Sequence, residues 1–407
     1  MQQTLVIQAP IFSQSGYGAH SRDIIMSLWK SQKYNIVTFP VNWGGTSTTY
    51  NLTPQEIEVL SYTTSNKLHD KSIEFIWIQI GIPTEFQRQG KYNIGITAGN
   101  ETTKLAPKWK EGCNRMDCII VPSVFEQQLL INEGVTVPVY IVGEGVDVDI
   151  FNEKELEDDK NDIDLLLNGI ETDFNFLGGG QWLGANIGED RKGIGKLIQV
   201  FLDEFEKDKN VGLILKTFSV NNSSVDRYYT EERIKEIKQD REYPRIYLLS
   251  GELKNNELQT LYHHKKVKGF ASLTSGEGWH RMLIESMSSD LPVIATAWSG
   301  HMDYMSKNNF DLINYNLGPI PVNTVRYNPE FFTQDMQWAH VDVKDAKKKM
   351  RKLYEGEKFA KERAIKEGQR IRKDWNKEVC YQKLLDILDN IQFETRKSSI
   401  LLPTELL

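Results

Sequence analysis

Ser275-Gly276-Glu277-Gly278-Trp279-His280-Arg281-Met282-Leu283-Ile284-Glu285 runs on through Ser286-Met287 to Leu291-Pro292-Val293-Ile294-Ala295-Thr296 and Ser299-Gly300. It reads as a strand end, a glycine loop, a helix and a second strand, which together make a βαβ unit of a parallel sheet. The same alternation extends in both directions. Strand-like runs at Leu5-Ile7, Asn35-Phe39, Phe75-Ile80, Tyr92-Ile96, Cys118-Val121 and Val139-Val142 form one set. Asp173-Leu177, Val211-Lys216, Arg245-Leu249, Gly269-Leu273 and Pro292-Ala295 form a second, each run being separated from the next by a helical pattern. Each set predicts one doubly wound sheet.

A chain of 407 residues exceeds one ordinary core and predicts two domains of roughly 150–200 residues. The acidic stretch Asn152-Asp164 reads as a linker or exposed helix between them. Helical patterning then follows from about Ala346 to Phe393. The net charge of −7 provides no footprint for non-specific nucleic-acid binding. A basic segment at 344–373 (Lys347-Lys348-Lys349, Arg351-Lys352, Arg370, Arg372-Lys373) reads first as a solvated helix face, and alternatively as a contact for anionic lipid or another polyanion. Three cysteines, Cys113, Cys118 and Cys380, form neither a ligand set nor a disulfide framework. No run approaches 18 apolar residues and no leader pattern precedes Leu5-Val6-Ile7. A cytoplasmic protein, at most peripheral to a membrane, is expected.

The glycine loop Ser275-Gly278 opening a helix presents free backbone N–H groups and a positive dipole end to phosphate oxygens. Glu277 and Glu285 frame it. If fully helical, their spacing of eight would part them by about 12 Å and roughly 80°, too far to share a metal or proton. With Glu277 in the loop and Glu285 just inside the helix, they suit hydroxyls at opposite ends of a long polar ligand, the shape of a sugar nucleotide.

This segment resembles the Glu-x7-Glu region of retaining GT-B glycosyltransferases of the GT4 kind. The resemblance implies two Rossmann-like domains facing an interdomain cleft: residues 1–165 on the acceptor side, 166–374 binding the nucleotide sugar, and a terminal helix within 375–407 returning to the first domain. It gives Glu277 the donor sugar and Glu285 the ribose, with Gly276 and Gly278 letting the backbone approach. The chain departs from the pattern at His280, where relatives usually have glycine, and at Met282, where they often have proline. A side chain at His280 either crowds a pyrophosphate or hydrogen-bonds to it.

Arg191-Lys192-Gly193-Ile194-Gly195-Lys196, after the glycines Gly178-Gly180, resembles the element whose arginine and lysine neutralise the pyrophosphate. Arg191 and Lys196 are assigned that role, with Lys192 the rival for the second cation. Fixed cations there stabilise charge developing on the departing phosphate. Lys216, closing an apolar strand, is a further donor-side candidate. Ser15-Gly16-Tyr17-Gly18-Ala19-His20 follows the first strand and lacks the third glycine of a GxGxxG dinucleotide fingerprint. The resemblance places Gly16 and Gly18 by the donor phosphates, and Tyr17, His20 and Glu101 are acceptor-side candidates. The blocks at 99–123 and 142–151 extend the likeness over most of the chain.

Asp147-Val148-Asp149 matches a metal-binding Asp-x-Asp only superficially, and His263-His264 reads as a helix end. The expectation is therefore a retaining glycosyltransferase with no bound cofactor, independent of metal and using a UDP-sugar as co-substrate. The acceptor hydroxyl belongs to a glycan, a lipid-linked sugar or another acceptor. A sugar-nucleotide epimerase of the same fold, or a non-catalytic nucleotide- or glycan-binding relative, is the alternative.

Overall fold

The structure is a computed structural model that describes residues 2–48, 51–66, 74–154, 162–183, 186–220, 222–305 and 311–391. Parts of two expected elements, 155–161 of the acidic stretch and 392–407 of the terminal segment, lie outside these residues. The chain folds into two compact units. One comprises Met1–Asn100, Lys104–Gly145 and Lys377–Leu407, and the other Glu101–Thr103 with Val146–Asn376.

In the first unit, β1 (Gln3–Ala9), β2 (Tyr34–Pro40), β3 (Phe75–Ile80), β4 (Tyr92–Ile96), β5 (Cys118–Val121) and β6 (Val139–Ile141) form one parallel sheet in the order β2-β1-β3-β4-β5-β6. Every residue of β3 is buried, as a strand with helices on both faces requires. The helices are α1 (Gly16–Lys30), α2 (Pro54–Ser65), α3 (Trp109–Asn114) and α4 (Val124–Asn132). Ser15 caps α1 by accepting the Gly18 N–H at 3.0 Å, and Thr53 and Glu56 close a capping box on α2.

The second unit begins with α5 (Asp162–Asn168), β7 (Phe174–Gln181), α6 (Ile194–Glu204), β8 (Val211–Phe218) and α7 (Ser224–Lys238). It continues with β9 (Arg245–Leu248), α8 (Asn255–His263), β10 (Val267–Ser272), α9 (Arg281–Ser288), β11 (Val293–Thr296) and β12 (Asp311–Ile313). These strands form a second parallel sheet in the order β12-β11-β10-β7-β8-β9. The three glycines read from sequence as following a strand lie inside it, because β7 runs to Gln181. Their missing side chains let two helices come close: a Cβ at Gly178 would sit 2.4 Å from Leu197, and one at Gly179 2.4 Å from Met282.

An antiparallel pair, β13 (Tyr315–Pro319) and β14 (Gln337–Val341), encloses α10 (Val322–Tyr327) and has its own small core of Ile320, Met336 and Trp338. The segment Glu101–Thr103 joins here, through Thr103 N–H to the Gln337 carbonyl at 2.9 Å and Gln337 N–H to Thr103 Oγ1 at 2.9 Å. The long helical segment resolves into α11 (Val343–Glu355), α12 (Glu357–Asp374) and α13 (Lys377–Asp389). Tyr381, Leu384 and Leu388 of α13 join the core of the first unit. Most cations of the 344–373 segment are held internally: Lys347 by Asp203, Arg351 by Glu204, Lys352 and Arg363 by Asp311, and Arg372 by Glu153 and Asp290. That distribution gives no support to a polyanion or membrane contact.

Candidate active site

The loop from Leu273 to His280 leaves the carboxyl end of β10 and enters α9, the position where open parallel sheets bind ligands. Glu277 lies in that loop and is 3% exposed. Lys192 Nζ donates to both of its oxygens, at 2.8 and 2.6 Å, and Thr274 Oγ1 donates to Oε1 at 2.9 Å. Arg191 Nη1 lies 3.1 Å from Oε2 and donates to the Gly276 carbonyl at 2.5 Å, while Nη2 is 3.1 Å from Glu101 Oε1. Two cations and two carboxylates thus share one cluster, in which Glu277 is buried and the other three are half-buried. Burial pushes the Glu277 carboxyl up, but Lys192 and Arg191 outweigh it and hold it well below the usual carboxylate range. Burial lowers Lys192, with Glu277 opposing.

Local structure aims these groups. Asp190 Oδ2 accepts the Ile194 N–H at 2.6 Å and so starts α6. Gly193 before it adopts φ +67°, and a Cβ there would meet the Leu273 carbonyl oxygen at 2.1 Å. This turn sends Lys192 towards Glu277. Lys196, in the first turn of α6, takes no part in the cluster, and no hydrogen bond or ion pair reaches its ammonium among the described residues. Lys192, the rival in the sequence reading, stands beside Glu277 instead.

Glu285 lies within α9 and is 8% exposed. Tyr262 Oη donates to its Oε2 at 3.3 Å, and Arg281 Nε lies 3.8 Å from Oε1. His280 caps α9 in the left-handed region, with φ +82° and ψ +74°. That backbone suits glycine, the residue that the resemblance leads one to expect here. Its imidazole turns inward to Ser272 Oγ, 2.9 Å from Nε2, and burial pulls its pKa down to about 3 against the pull of Glu277. Behind the loop, Ser299 Oγ accepts the Glu277 N–H at 2.9 Å and the Gly300 N–H reaches the Glu277 carbonyl at 2.9 Å. Tyr304 Oη donates to the carbonyls of Trp279 and His280 at 2.9 and 3.0 Å.

Of the remaining candidates, Gly276, Gly278 and Glu101 lie at this loop, whereas Lys216, Gly16, Gly18, Tyr17 and His20 do not. Lys216 donates to the Gly251 carbonyl at 2.5 Å, and burial pulls its ammonium down to about 8, with Glu252 opposing. Gly276 packs on the Glu101 carbonyl, 2.2 Å from where a Cβ would lie; Gly278 lies under Gly300. In the first unit Gly16 opens α1 with free space around it, and Gly18 packs on the Ser13 carbonyl. Tyr17 stacks on Trp43, and His20 is buried with Nδ1 3.0 Å from Tyr381 Oη on α13. Glu101, expected on the acceptor side, has its carboxylate on Arg191. Thr274, Ser299, Tyr262 and Tyr304 escaped the sequence reading, since a hydroxyl that positions a neighbour carries no spacing signal.

Burial pushes the Glu101 carboxyl up to about 7, with Arg191 opposing. A raised folded pKa means that the native state holds the proton where the unfolded chain has lost it. The contribution to stability is present in full below about 4.5 and is lost as pH rises towards 7. Between pH 5 and 7, wild type should lose stability relative to Glu101→Gln by at most about 1.4 kcal/mol per pH unit. Urea denaturation of both proteins at several pH values checks this, and a pH-independent difference would contradict it.

No family model and no curated protein matches this sequence. Solved structures do. A sucrose-phosphate synthase from Thermosynechococcus elongatus superposes with a TM-score of 0.63 at 13% identity, covering 95% of this chain and 98% of the other. An α,α-trehalose-phosphate synthase (UDP-forming) from Burkholderia vietnamiensis gives 0.62 at 10% identity, over 97% and 98%. Anabaena HepE in complex with UDP-glucose gives 0.60 at 11%, over 96% and 100%. The fold is GT-B. This chain shares with these glycosyltransferases a fold of two Rossmann-like units, each of which here holds a six-stranded parallel sheet.

Proposed function

We propose that this chain is a retaining, GT4-like glycosyltransferase that moves a sugar from a nucleoside diphosphate to an acceptor hydroxyl, with a UDP-sugar as donor and without a bound metal. The observation that carries this reading is the buried Glu277, set in the loop at the carboxyl end of the second sheet against Lys192 and Arg191, with Glu285 in the helix that the loop enters. HepE and the trehalose-phosphate synthase are described with UDP-glucose and as UDP-forming, which favours uridine.

In the proposed reaction the bond between the sugar C1 and the β-phosphate oxygen breaks, and the electron pair leaves with the diphosphate. The acceptor oxygen bonds to C1 on the same face, and its proton passes to the departing phosphate oxygen. No side chain has to act as nucleophile. Glu277 accepts hydrogen bonds from the donor sugar, and Glu285 accepts them from the ribose. Lys192 and Arg191 stand where negative charge develops on the leaving group, and preorganised cations there lower the barrier. Lys196, whose ammonium no hydrogen bond or ion pair engages among the described residues, is the further cation available to the phosphates.

A thermal-shift screen against UDP, GDP, ADP and their sugar conjugates, with and without EDTA, tests the donor reading. One nucleotide should raise Tm, and the shift should survive EDTA. Glu285→Ala removes hydrogen bonds from a charged acceptor, each worth about 1.5–3 kcal/mol, so nucleotide affinity should fall roughly 10- to 100-fold. Unchanged nucleotide affinity in that variant would remove Glu285 from the ribose site. Release of free sugar from donor alone, faster than transfer to any acceptor, would favour the epimerase.

A further inference from the structure

Three rings stand behind the loop that carries Glu277. The Trp279 indole lies 5.0 Å from the Tyr304 ring at 63° and 5.4 Å from the Trp375 ring at 56°, and Tyr304 and Trp375 lie 6.2 Å apart at 70°. Each ring therefore meets the other two in the tilted arrangement that aromatic quadrupoles favour. Trp279 and Tyr304 are buried and Trp375 is half-buried. The Tyr304 hydroxyl, donating to the Trp279 and His280 carbonyls, fixes the backbone at this point as the rings fix the side chain. Only Gly278 separates Trp279 from Glu277, and a Cβ at Gly300 would lie 1.8 Å from its carbonyl oxygen. With no slack there, a shift of the indole passes to the carboxylate.

Trp375 is not part of the sheet that bears the loop. It follows α12, and its N–H reaches the Ile371 carbonyl at 2.9 Å. The Val146 N–H reaches the Trp375 carbonyl at 2.9 Å, and Val146 forms a parallel bridge with Asn376. At these same residues the chain passes between its two units, to the second at Gly145–Val146 and back to the first at Asn376–Lys377. Arg370 ties α12 to the rings a second time, since its Nη2 donates to the Tyr304 carbonyl. The Glu277 loop is thus held twice, by Ser299 and Gly300 after β11 and by the junction after α12.

We propose that Trp375 is a positioning residue for this loop: packed on Trp279, and together with Tyr304, it sets where Glu277 stands and ties that position to the junction at which the chain passes between its units. The effect on the loop follows from the packing alone, and the effect on sugar transfer rests on the glycosyltransferase reading. A carboxylate displaced by about 1 Å orients a donor sugar poorly. Glu285, a turn into α9, keeps its place on the ribose in that reading. Loss of the ring should therefore lower kcat far more than it lowers nucleotide affinity.

Hydrogen exchange of the full-length protein, read by mass spectrometry on peptides covering 274–285 and 296–305, tests the loop directly. These peptides hold the Glu277 and Gly300 amides, which donate to Ser299 Oγ and to the Glu277 carbonyl. In Trp375→Ala they should exchange at least about tenfold faster than in wild type, with β7 and β8 unchanged. Trp375→Phe keeps a ring and should stay within about threefold of wild type. Tyr304→Phe removes one hydroxyl, should speed exchange of the same peptides by about threefold or more, and decides the matter if Trp375→Ala does not fold. With a UDP-sugar, Trp375→Ala should lose at least about tenfold in kcat while its UDP affinity stays within about threefold, and Trp375→Phe should recover most of the rate. Unchanged exchange in the alanine variant and in Tyr304→Phe, exchange raised equally across the whole second unit, or UDP affinity lost as fully as kcat would overturn the proposal. A wild type that shows the expected exchange pattern but neither binds UDP nor transfers sugar would sink the glycosyltransferase reading alone.

Discussion

Glu277→Ala is expected to cost about 3–5 kcal/mol of stability and to reduce turnover at least 100-fold. The Glu277 side chain is buried, its carboxylate is the one hydrogen-bond and ion-pair partner of Lys192 Nζ among the described residues, and it also faces Arg191 Nη1. Removing one member of a buried ion pair leaves its partner charged and dehydrated, which is far more costly than the pair's own net worth. Arg191 retains Glu101 and the Gly276 carbonyl, so the burden falls on Lys192. For a unit of this size the loss corresponds to a Tm lower by roughly 10 °C. Turnover falls for a second reason: the donor sugar loses the group that orients it, and a displacement of about 1 Å at a reacting centre already costs about 100-fold. Urea denaturation and initial rates with a UDP-sugar measure the two effects separately. A variant as stable as wild type would mean that water reaches Lys192 once the carboxylate is gone, and full turnover would take Glu277 out of the donor site.

Gly300→Ala is expected to damage the same loop without touching a charged group. A Cβ at this position would lie 1.8 Å from the Gly278 carbonyl oxygen and 2.9 Å from that of Glu277, both backbone atoms with no rotamer to turn. The loop must move outward by more than an ångström, which strains or breaks the hydrogen bonds from Gly300 N–H to the Glu277 carbonyl and from Glu277 N–H to Ser299 Oγ. Overpacking of this kind costs about 1–3 kcal/mol. The larger consequence is again misplacement, with turnover down by roughly 100-fold. Because Glu285 sits further along α9, nucleotide affinity should change much less than turnover. A variant with normal kcat and weakened UDP binding would contradict that division.

The sheets were readable because their strands are short apolar runs between helical patterns. Phe75–Ile80, Tyr92–Ile96 and Cys118–Val121 carry the residues that both faces of a covered parallel sheet demand, and each is found as a strand with the expected bounds. The hairpin of β13 and β14 was not readable. Tyr315–Pro319 has a mixed, partly exposed pattern, and it is a strand because Gln337–Val341 lies beside it. Gly178–Gly180 read as following the strand, whereas pairing with Leu215, Lys216 and Thr217 of β8 makes them part of it. A glycine kept for space and a glycine kept for a turn look alike in one sequence.

By itself the sequence determined two parallel sheets, the loop that leaves the second of them, and the placing of Glu277 in the loop and Glu285 in the helix. Those features follow from periodicity and from spacing along a few consecutive residues. Only the tertiary structure decided which lysine meets Glu277, where Glu101 and His280 point, and that Trp43 lies on Tyr17. Lys192 and Lys196 are equally basic and almost adjacent; Gly193, turned to positive φ against the Leu273 carbonyl, sends one to the carboxylate and leaves the other on α6. His280 faces Ser272 because its left-handed backbone turns the ring inward. Such contacts join residues far apart in the chain, and their geometry is set by packing.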